Sequence, residues 1–405
     1  MISDPLSLIL LPTLRCNARC DYCFENRKES VLTTDQFSVL LDKVLVHMDE
    51  NGIAVLNIHW QGGEVMTLPP EWLSRAHEII LWASEKTKKE VRNHIQSNMI
   101  GYSPAWNGIL RSMFGNSVGT SLDFPNLHRK LPTGGTGGYD DLLLRNIRMA
   151  QDADILLGAI AVPNEKTFQA GAGQFYSHFT EEVGMTDFQV NTPFPGGLSS
   201  ESKKGFPLDT EELTRFLIDL IDVWMARGYE KGVRIGPFDK LVDYFTEGDR
   251  GLVCIWRNNC ADEFFCIGPN GDMSQCDCWA ASYPEFSFGN IFDDKSLSEI
   301  LKASTARQRF LDRPGFLVQQ EACQECRYLS LCHGGCPVRA YTVSGDLMAR
   351  DPYCETYKAI FSHMETVSSK LAMGRTRQSS ELRHPELHEP GHGKVSSKSL
   401  PFPAR

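Results

Sequence analysis

The chain lacks a basic excess: 41 Lys and Arg stand against 51 Asp and Glu in 405 residues, for a formal net charge of −10. A nucleic-acid surface is ordinarily basic, so this balance argues against a nucleic-acid partner. Long hydrophobic runs are missing too. Residues 6–11, apolar apart from Ser7, fall far short of the roughly 20 residues that a membrane-spanning helix needs. With no basic segment ahead of this run and no small-residue cleavage site behind it, it does not read as a secretory signal. These absences lead us to expect a cytoplasmic, reduced protein with no membrane partner. Cysteine is absent between Cys23 and Cys254, yet the chain holds 13: three at the start and ten within residues 254–354. In a reducing compartment such crowding points to two metal-binding regions rather than to disulfides. The length suffices for two cores, and 41% hydrophobic and 23% charged residues are ordinary for a globular protein.

The first cysteines form the segment Cys16-Asn17-Ala18-Arg19-Cys20-Asp21-Tyr22-Cys23, spaced C-x3-C-x2-C after the apolar run. Three thiolates so placed can hold three irons of a [4Fe–4S] cluster and leave the fourth open. A zinc knuckle is the competing reading, but no fourth Cys or His lies nearby. From there to about Gly236 short apolar strands alternate with amphipathic helices. Strands are expected at 6–11, 53–59, 91–95, 117–122, 155–162 and 188–190. A helix carries Phe37, Leu40, Leu41, Val44 and Leu45 on one face. Others are expected over 139–150 and 168–179, and one opens at Asp209 and closes at Gly228. Six strand–helix units imply a parallel sheet covered by helices; periodicity fits an open sheet and a partial barrel alike. In either, ligands gather at the carboxyl ends of the strands. There lie the cysteine loop, Gly62-Gly63-Glu64, Ser97-Asn98 and Ser121-Leu122-Asp123. The two glycines would let the backbone approach a ligand, and Glu64 would accept from a cation; a plain turn and strand-end caps are the bland alternatives.

C-x3-C-x2-C with Tyr22 before its last cysteine, at the end of a first strand, resembles the radical SAM superfamily. The resemblance implies a partial (β/α)6 TIM-type barrel and a [4Fe–4S] cluster on Cys16, Cys20 and Cys23. The open iron would chelate S-adenosylmethionine (SAM), whose reductive cleavage gives a 5′-deoxyadenosyl radical that takes a hydrogen atom from the substrate. It assigns Gly62, Gly63 and Glu64 to the methionine amino group. Tyr22, Ser97, Asn98, Ser121 and Asp123 fall at cofactor-contacting positions. Relatives often carry a His-Asp-x-x-Arg-like segment after the fourth strand whose Arg pairs with the SAM carboxylate. Here His128-Arg129-Lys130 offers cations at a different spacing.

Past Gly236, Cys323-x2-Cys326-x5-Cys332-x3-Cys336-x17-Cys354 follows Cys254, Cys260, Cys266, Cys276 and Cys278, with Asn270-Gly271 reading as a hairpin turn. A zinc ribbon is the metal-binding alternative. The pattern resembles the SPASM domain, a small cysteine-rich α+β extension with two auxiliary [4Fe–4S] clusters, for three clusters in all. By resemblance Cys254, Cys260, Cys276 and Cys336 hold the first auxiliary cluster and Cys323, Cys326, Cys332 and Cys354 the second. Cys266 and Cys278 stay spare, Cys278 on the same strand face as Cys276. Asp277 matches a Cys-Asp step that supplies the general base in sulfatase maturases; an ordinary solvated strand residue is the other reading. The expected organisation is a barrel over 1–236, a cluster domain over 237–371 and a disordered tail over 372–405.

The function expected from the resemblance is oxidative modification of a peptide, by crosslinking or cyclising a ribosomally made precursor, with an electron donor such as flavodoxin or ferredoxin. The segment His333-Gly334-Gly335-Cys336-Pro337-Val338-Arg339-Ala340-Tyr341 and the turn Trp60-Gln61-Gly62-Gly63 look like crosslinking maturases. The cysteine spacing and Cys276-Asp277 look like formylglycine-forming sulfatase maturases. Oxidation or epimerisation of a small molecule such as an aminoglycoside, and a non-enzymatic zinc-binding interaction module, are the alternatives. With the cluster loop beginning at Cys16, leader recognition is expected at the barrel rim or on a separate protein, or the substrate carries no leader at all.

Overall fold

The strand–helix alternation expected from periodicity is present in the computed structural model, which describes residues 5–25, 27–193, 209–248 and 251–381. In chain order come β1 (Leu6–Thr13), α1 (Thr34–Glu50), β2 (Val55–Gly62), α2 (Pro70–Thr87) and β3 (Glu90–Ile95). Then follow α3 (Asn107–Met113), β4 (Ser117–Ser121), α4 (Gly135–Gln151), β5 (Leu156–Ala161), α5 (Glu165–Ser177), β6 (Asp187–Val190), α6 (Thr210–Arg227) and β7 (Arg234–Gly236). β1, β2 and β3 pair in parallel, as do β4, β5, β6 and β7. A parallel bridge between Gln96 and Gly119 joins the two sheets, with Ser97 N donating to Gly119 O at 2.9 Å. Gly119 is small for a reason, since a Cβ there would lie 2.2 Å from Gln96 Oε1.

Alternation sets the two faces. On β2, Leu56, Ile58 and Trp60 are fully buried, while Asn57, His59 and Gln61 between them are only partly covered. The first three join the core with Leu8 and Leu10 of β1 and with Phe37, Leu40, Leu41 and Val44 of α1. Thr33 closes a capping box at the start of α1, and Asp209 caps α6 by accepting from Glu211 N and Glu212 N. The other face of β2 is polar, with His59 stacked on His94 of β3 at 5.1 Å.

Three differences from expectation bear on the site. A seventh parallel strand, β7, ends at Gly236, so the boundary placed there falls at the end of a barrel strand. After α7 (Phe238–Glu247), β8 (Phe264–Ile267) forms the expected hairpin with β9 (Asp272–Ser274), and β10 (Gly289–Asn290) pairs with β9. β8 also pairs in parallel with β1, Ser7 opposite Phe264 through Leu10 opposite Ile267, so the cysteine-rich part continues the barrel sheet. Nothing in local periodicity carries that long-range pairing. Last, the closing helix runs Cys354–Glu381, ten residues past the expected end at 371. Residues 382–405 of the expected tail lie outside the described residues.

Candidate active site and metal centres

The cluster loop leaves the end of β1 and is held on two sides. Arg19 N donates to Lys130 O (2.7 Å) and Asp21 N to His128 O (2.9 Å), so the segment after β4 clamps its outer edge. Lys130 Nζ adds an ion pair to Asp21 at 2.7 Å. On the inner edge Gly63 N donates to Thr13 O at 3.0 Å. A Cβ on Gly62, at φ +126°, would lie 2.4 Å from Thr13 O, and one on Gly63 2.3 Å from Arg15 O. The close approach these glycines allow within the protein is that of the chain's own backbone leading into Cys16. Burial pushes the Cys16 thiol up to about 12, and the charges of Glu64, Cys23 and Cys20 act in the same direction. Cys20 and Cys23 are likewise raised, first by burial. Three mutually repelling, desolvated thiols become thiolates when metal displaces their protons.

Glu64 is 3% exposed and accepts three hydrogen bonds. Its Oε1 accepts from Met66 N (2.8 Å) and Ser97 Oγ (2.7 Å), and its Oε2 from Asn98 N (2.6 Å). Burial raises its pKa, and these three bonds oppose the rise. Asn98 Nδ2 in turn donates to Asn17 Oδ1 at 2.8 Å and lies 4.0 Å from Cys16 Sγ. Ser121 Oγ accepts from Gln96 Nε2 at 3.2 Å. Glu64, Ser97 and Asn98 thus lock together beside the cysteine loop. A carboxylate has about four lone-pair sites, so Oε2 keeps room for one further donor.

Asp123, 4% exposed, is the hub of the other side. Its Oδ2 accepts from Tyr22 Oη (2.5 Å) and Arg129 Nε (3.0 Å), and its Oδ1 from Val162 N (2.9 Å). Arg129 also lies over the Tyr22 ring at 5.3 Å. Arg129 is thus buried in a pair that fixes the aromatic of the cysteine loop. Asp123→Ala would strand that guanidinium, at a cost of about 3–5 kcal/mol. Denaturant unfolding should show a loss of that size, and a smaller one for Asp123→Asn; equal stability of Asp123→Ala and the parent would refute the hub.

The ten later cysteines sort into groups. Burial raises the Cys260 pKa, and the charges of Cys276, Cys336 and Cys254 add to the rise. Cys323, Cys326, Cys332 and Cys354 line one pocket with Arg350 and Asp351. A zinc ion at 2.3 Å from four sulfurs would draw them to about 3.8 Å of one another. Among the described residues, three ligand atoms gather within 4.8 Å only at Cys276, Asp277 and Cys278. Four soft thiols in each set suit an iron–sulfur cluster.

Cys276 does not lie on a strand, which corrects the shared-face reading of Cys278. β9 ends at Ser274, and Cys276 precedes a short helix, Asp277–Ser282. Asp277 is likewise not a solvated strand residue. It opens that helix, partly buried, and its Oδ2 accepts from Gln61 Nε2 of β2 at 2.9 Å. Burial raises its pKa. Cys266 sits on β8 opposite Ile9, fully buried and close enough to feel the charges of Asp277, Glu25 and Cys276. Glu25 had no motif to flag it. Both its carboxylate oxygens are shut off from solvent and make no hydrogen bond among the described residues. Burial pushes its pKa well up, with the charge of Asp277 adding to the rise.

Comparison with known proteins places this geometry. The radical SAM superfamily model matches residues 10–167, and the SPASM model, an iron–sulfur cluster-binding domain, matches residues 254–327. The chain is 24% identical over 374 residues to a cysteine-type anaerobic sulfatase-maturating enzyme of Clostridium perfringens (strain 13 / Type A), covering 89% of this chain and 96% of that protein. It is 22% identical over 381 residues to a PqqA peptide cyclase of Rhodopseudomonas palustris, covering 92% and 93%. The fold superposes on native anSMEcpe with bound AdoMet and Cp18Cys peptide at a TM-score of 0.76 and 22% identity, over 90% of this chain and 99% of that one. No helix among the described residues is long and apolar enough to cross a membrane. Barrel, cysteine loop and cysteine-rich extension agree with both family models, and the chain is an enzyme of the radical SAM superfamily with a carboxy-terminal SPASM domain that implies iron–sulfur clusters and SAM.

Proposed function

We propose that this enzyme oxidises a residue of a peptide, removing two hydrogens and crosslinking or cyclising a ribosomally made precursor. When bound, SAM and a cluster on Cys16, Cys20 and Cys23 supply a 5′-deoxyadenosyl radical, and two auxiliary clusters, making three in all, supply an electron acceptor. The observation that carries the two-electron oxidation, a step common to crosslinking and formylglycine formation, is the Gln61–Asp277 bond of 2.9 Å, which fixes a carboxylate from the SPASM part at the mouth of the barrel. Gln61 turns Asp277 Oδ2 toward the β2 end, and burial makes it a better base than an exposed aspartate. Asp277 takes the proton that leaves the substrate after its hydrogen atom. Glu64, Ser97 and Asn98 hold the SAM side of the mouth, Oε2 of Glu64 accepting from the amino group. Tyr22, Gly62, Gly63 and Asp123 act through the shape of the loop, and Ser121 borders the same mouth. Relatives named for sulfatase maturation and for PqqA cyclisation, and a relative's structure with a bound peptide, support a peptide substrate. A reduced flavodoxin or ferredoxin suits as electron donor.

The test uses anaerobically reconstituted, reduced enzyme with SAM and the peptide encoded by a short reading frame beside its gene. Mass spectrometry should find the peptide two hydrogens lighter, with no aldehyde captured by a hydrazide probe. Product formed per 5′-deoxyadenosine should fall roughly 100-fold in Asp277→Asn, the scale of general-base catalysis. An aldehyde on the peptide would move the assignment to formylglycine formation. An untouched peptide alongside an oxidised aminoglycoside would overturn a peptide substrate altogether.

A further inference from the structure

Arg313 lies within the helix Thr305–Val318 and is 5% exposed. Its guanidinium donates four hydrogen bonds, every one to a backbone carbonyl. Nε reaches Leu347 O (2.9 Å), Nη1 reaches Gly335 O (3.0 Å), and Nη2 reaches Gly334 O (3.2 Å) and Ala349 O (2.9 Å). Carbonyl dipoles satisfy its N–H groups but leave a full positive charge in the interior. Among the described residues it takes part in no ion pair; Asp351, the acid beside it, pairs instead with Arg339 at 3.8 Å and accepts from Cys336 N at 2.8 Å. A buried charge without a counter-ion costs several kcal/mol, so an anion belongs nearby.

The anions on hand are the cysteines. Gly334 and Gly335, whose carbonyls Arg313 holds, separate Cys332 from Cys336. Asn259, next to Cys260, donates Nδ2 to Leu311 O on the same helix at 3.3 Å. Burial lowers the Arg313 pKa, and Cys336, Cys260, Asp351 and Cys332, in that order, oppose the fall and favour its charged form. Cys260 and Cys336 belong to the first auxiliary set and Cys332 to the second. By contrast Arg350 Nη1 contacts Cys354 of the second set at 3.6 Å, and Arg339 feels the charge of Cys336 of the first.

We propose that Arg313 is the shared counter-cation of the two auxiliary clusters, its buried charge standing between them and favouring the reduced, more negative state of both. This rests on the iron–sulfur reading of the two sets. Cluster potentials respond to nearby charge and to hydrogen bonding, so removing the cation makes both clusters harder to reduce.

The experiment is an EPR-monitored redox titration of reconstituted full-length protein carrying Cys16, Cys20 and Cys23→Ala, so that only the auxiliary signals remain. Adding Arg313→Gln should shift both reduction equilibria at least tenfold toward the oxidised form, about 59 mV for a one-electron couple. Arg313→Lys keeps the charge but not the fork, and should leave both within threefold of the parent. The proposal fails if Arg313→Gln moves neither potential or only one. If Arg313→Gln does not assemble clusters, Arg313→Lys decides: parental potentials support the charge, whereas lost clusters or a shift make Arg313 a clamp for the carbonyls of residues 334–349. A parent with no iron would overturn the cluster reading and this proposal together, and iron analysis tells that failure apart.

Discussion

Replacing Cys16, Cys20 and Cys23 together by alanine is expected to abolish SAM cleavage and to lower the iron content of reconstituted protein from about twelve to about eight per chain, at four irons per cluster. The three thiols lie on one loop, pushed toward their neutral forms first by burial, with the charge of neighbouring cysteines adding to the rise at Cys16 and Cys23. Such a loop gains from metal, because coordination removes the protons and neutralises the repulsion in one event. The two auxiliary sets share no residue with it, so their irons should survive. Iron and sulfide analysis beside 5′-deoxyadenosine chromatography checks both halves. About four irons falling to none would remove the auxiliary assignment and leave the radical one. Zinc in place of iron would defeat both.

Gly63→Ala should be nearly as severe, although Gly63 touches no chemistry. The new Cβ would lie 2.3 Å from Arg15 O and 2.6 Å from both the carbonyl carbon and the oxygen of Leu14. All three are backbone atoms, so no side chain can swing away, and the strand leading into Cys16 must shift. A cost of about 3 kcal/mol is at the upper end for overpacking, and the radical cluster's irons should be lost with it. Gly137→Ala is the control. Its Cβ meets nothing within 4 Å in the first turn of α4, where alanine should stabilise by about 0.5 kcal/mol. Denaturant midpoints and iron content read both variants. A Gly63→Ala protein with a parental midpoint and full iron would show that the close approach is not required.

Much of the site was legible because its signals are local. C-x3-C-x2-C and the C-x2-C-x5-C-x3-C run carry their chemistry in spacing alone, and strand periodicity placed Glu64, Ser97 and Asp123 at strand ends. What such signals do not carry is the partner. Glu64 and Asp123 were expected beside the cofactor, and the motif gave no hint that each carboxylate also accepts three hydrogen bonds from the protein. Arg129 was visible as a cation, but its pairing with Asp123 depends on how the segment after β4 folds back over the loop. Glu25 and Arg313 belong to no motif. Each is identified only by burial and by the partners it lacks, which are properties of the packed interior.

The sequence by itself determined the kind of chemistry, the alternation of strands and helices, and the two cysteine fields, because residue type and spacing suffice for ligand sets and periodicity. Tertiary structure decided how the fields meet. β8 pairs with β1 across more than half the chain, and that pairing brings Asp277 to Gln61 at the barrel mouth. Contacts so distant in sequence leave no local pattern; they form because buried strand edges must find hydrogen-bond partners, and here the open edge of β1 found one in the SPASM hairpin.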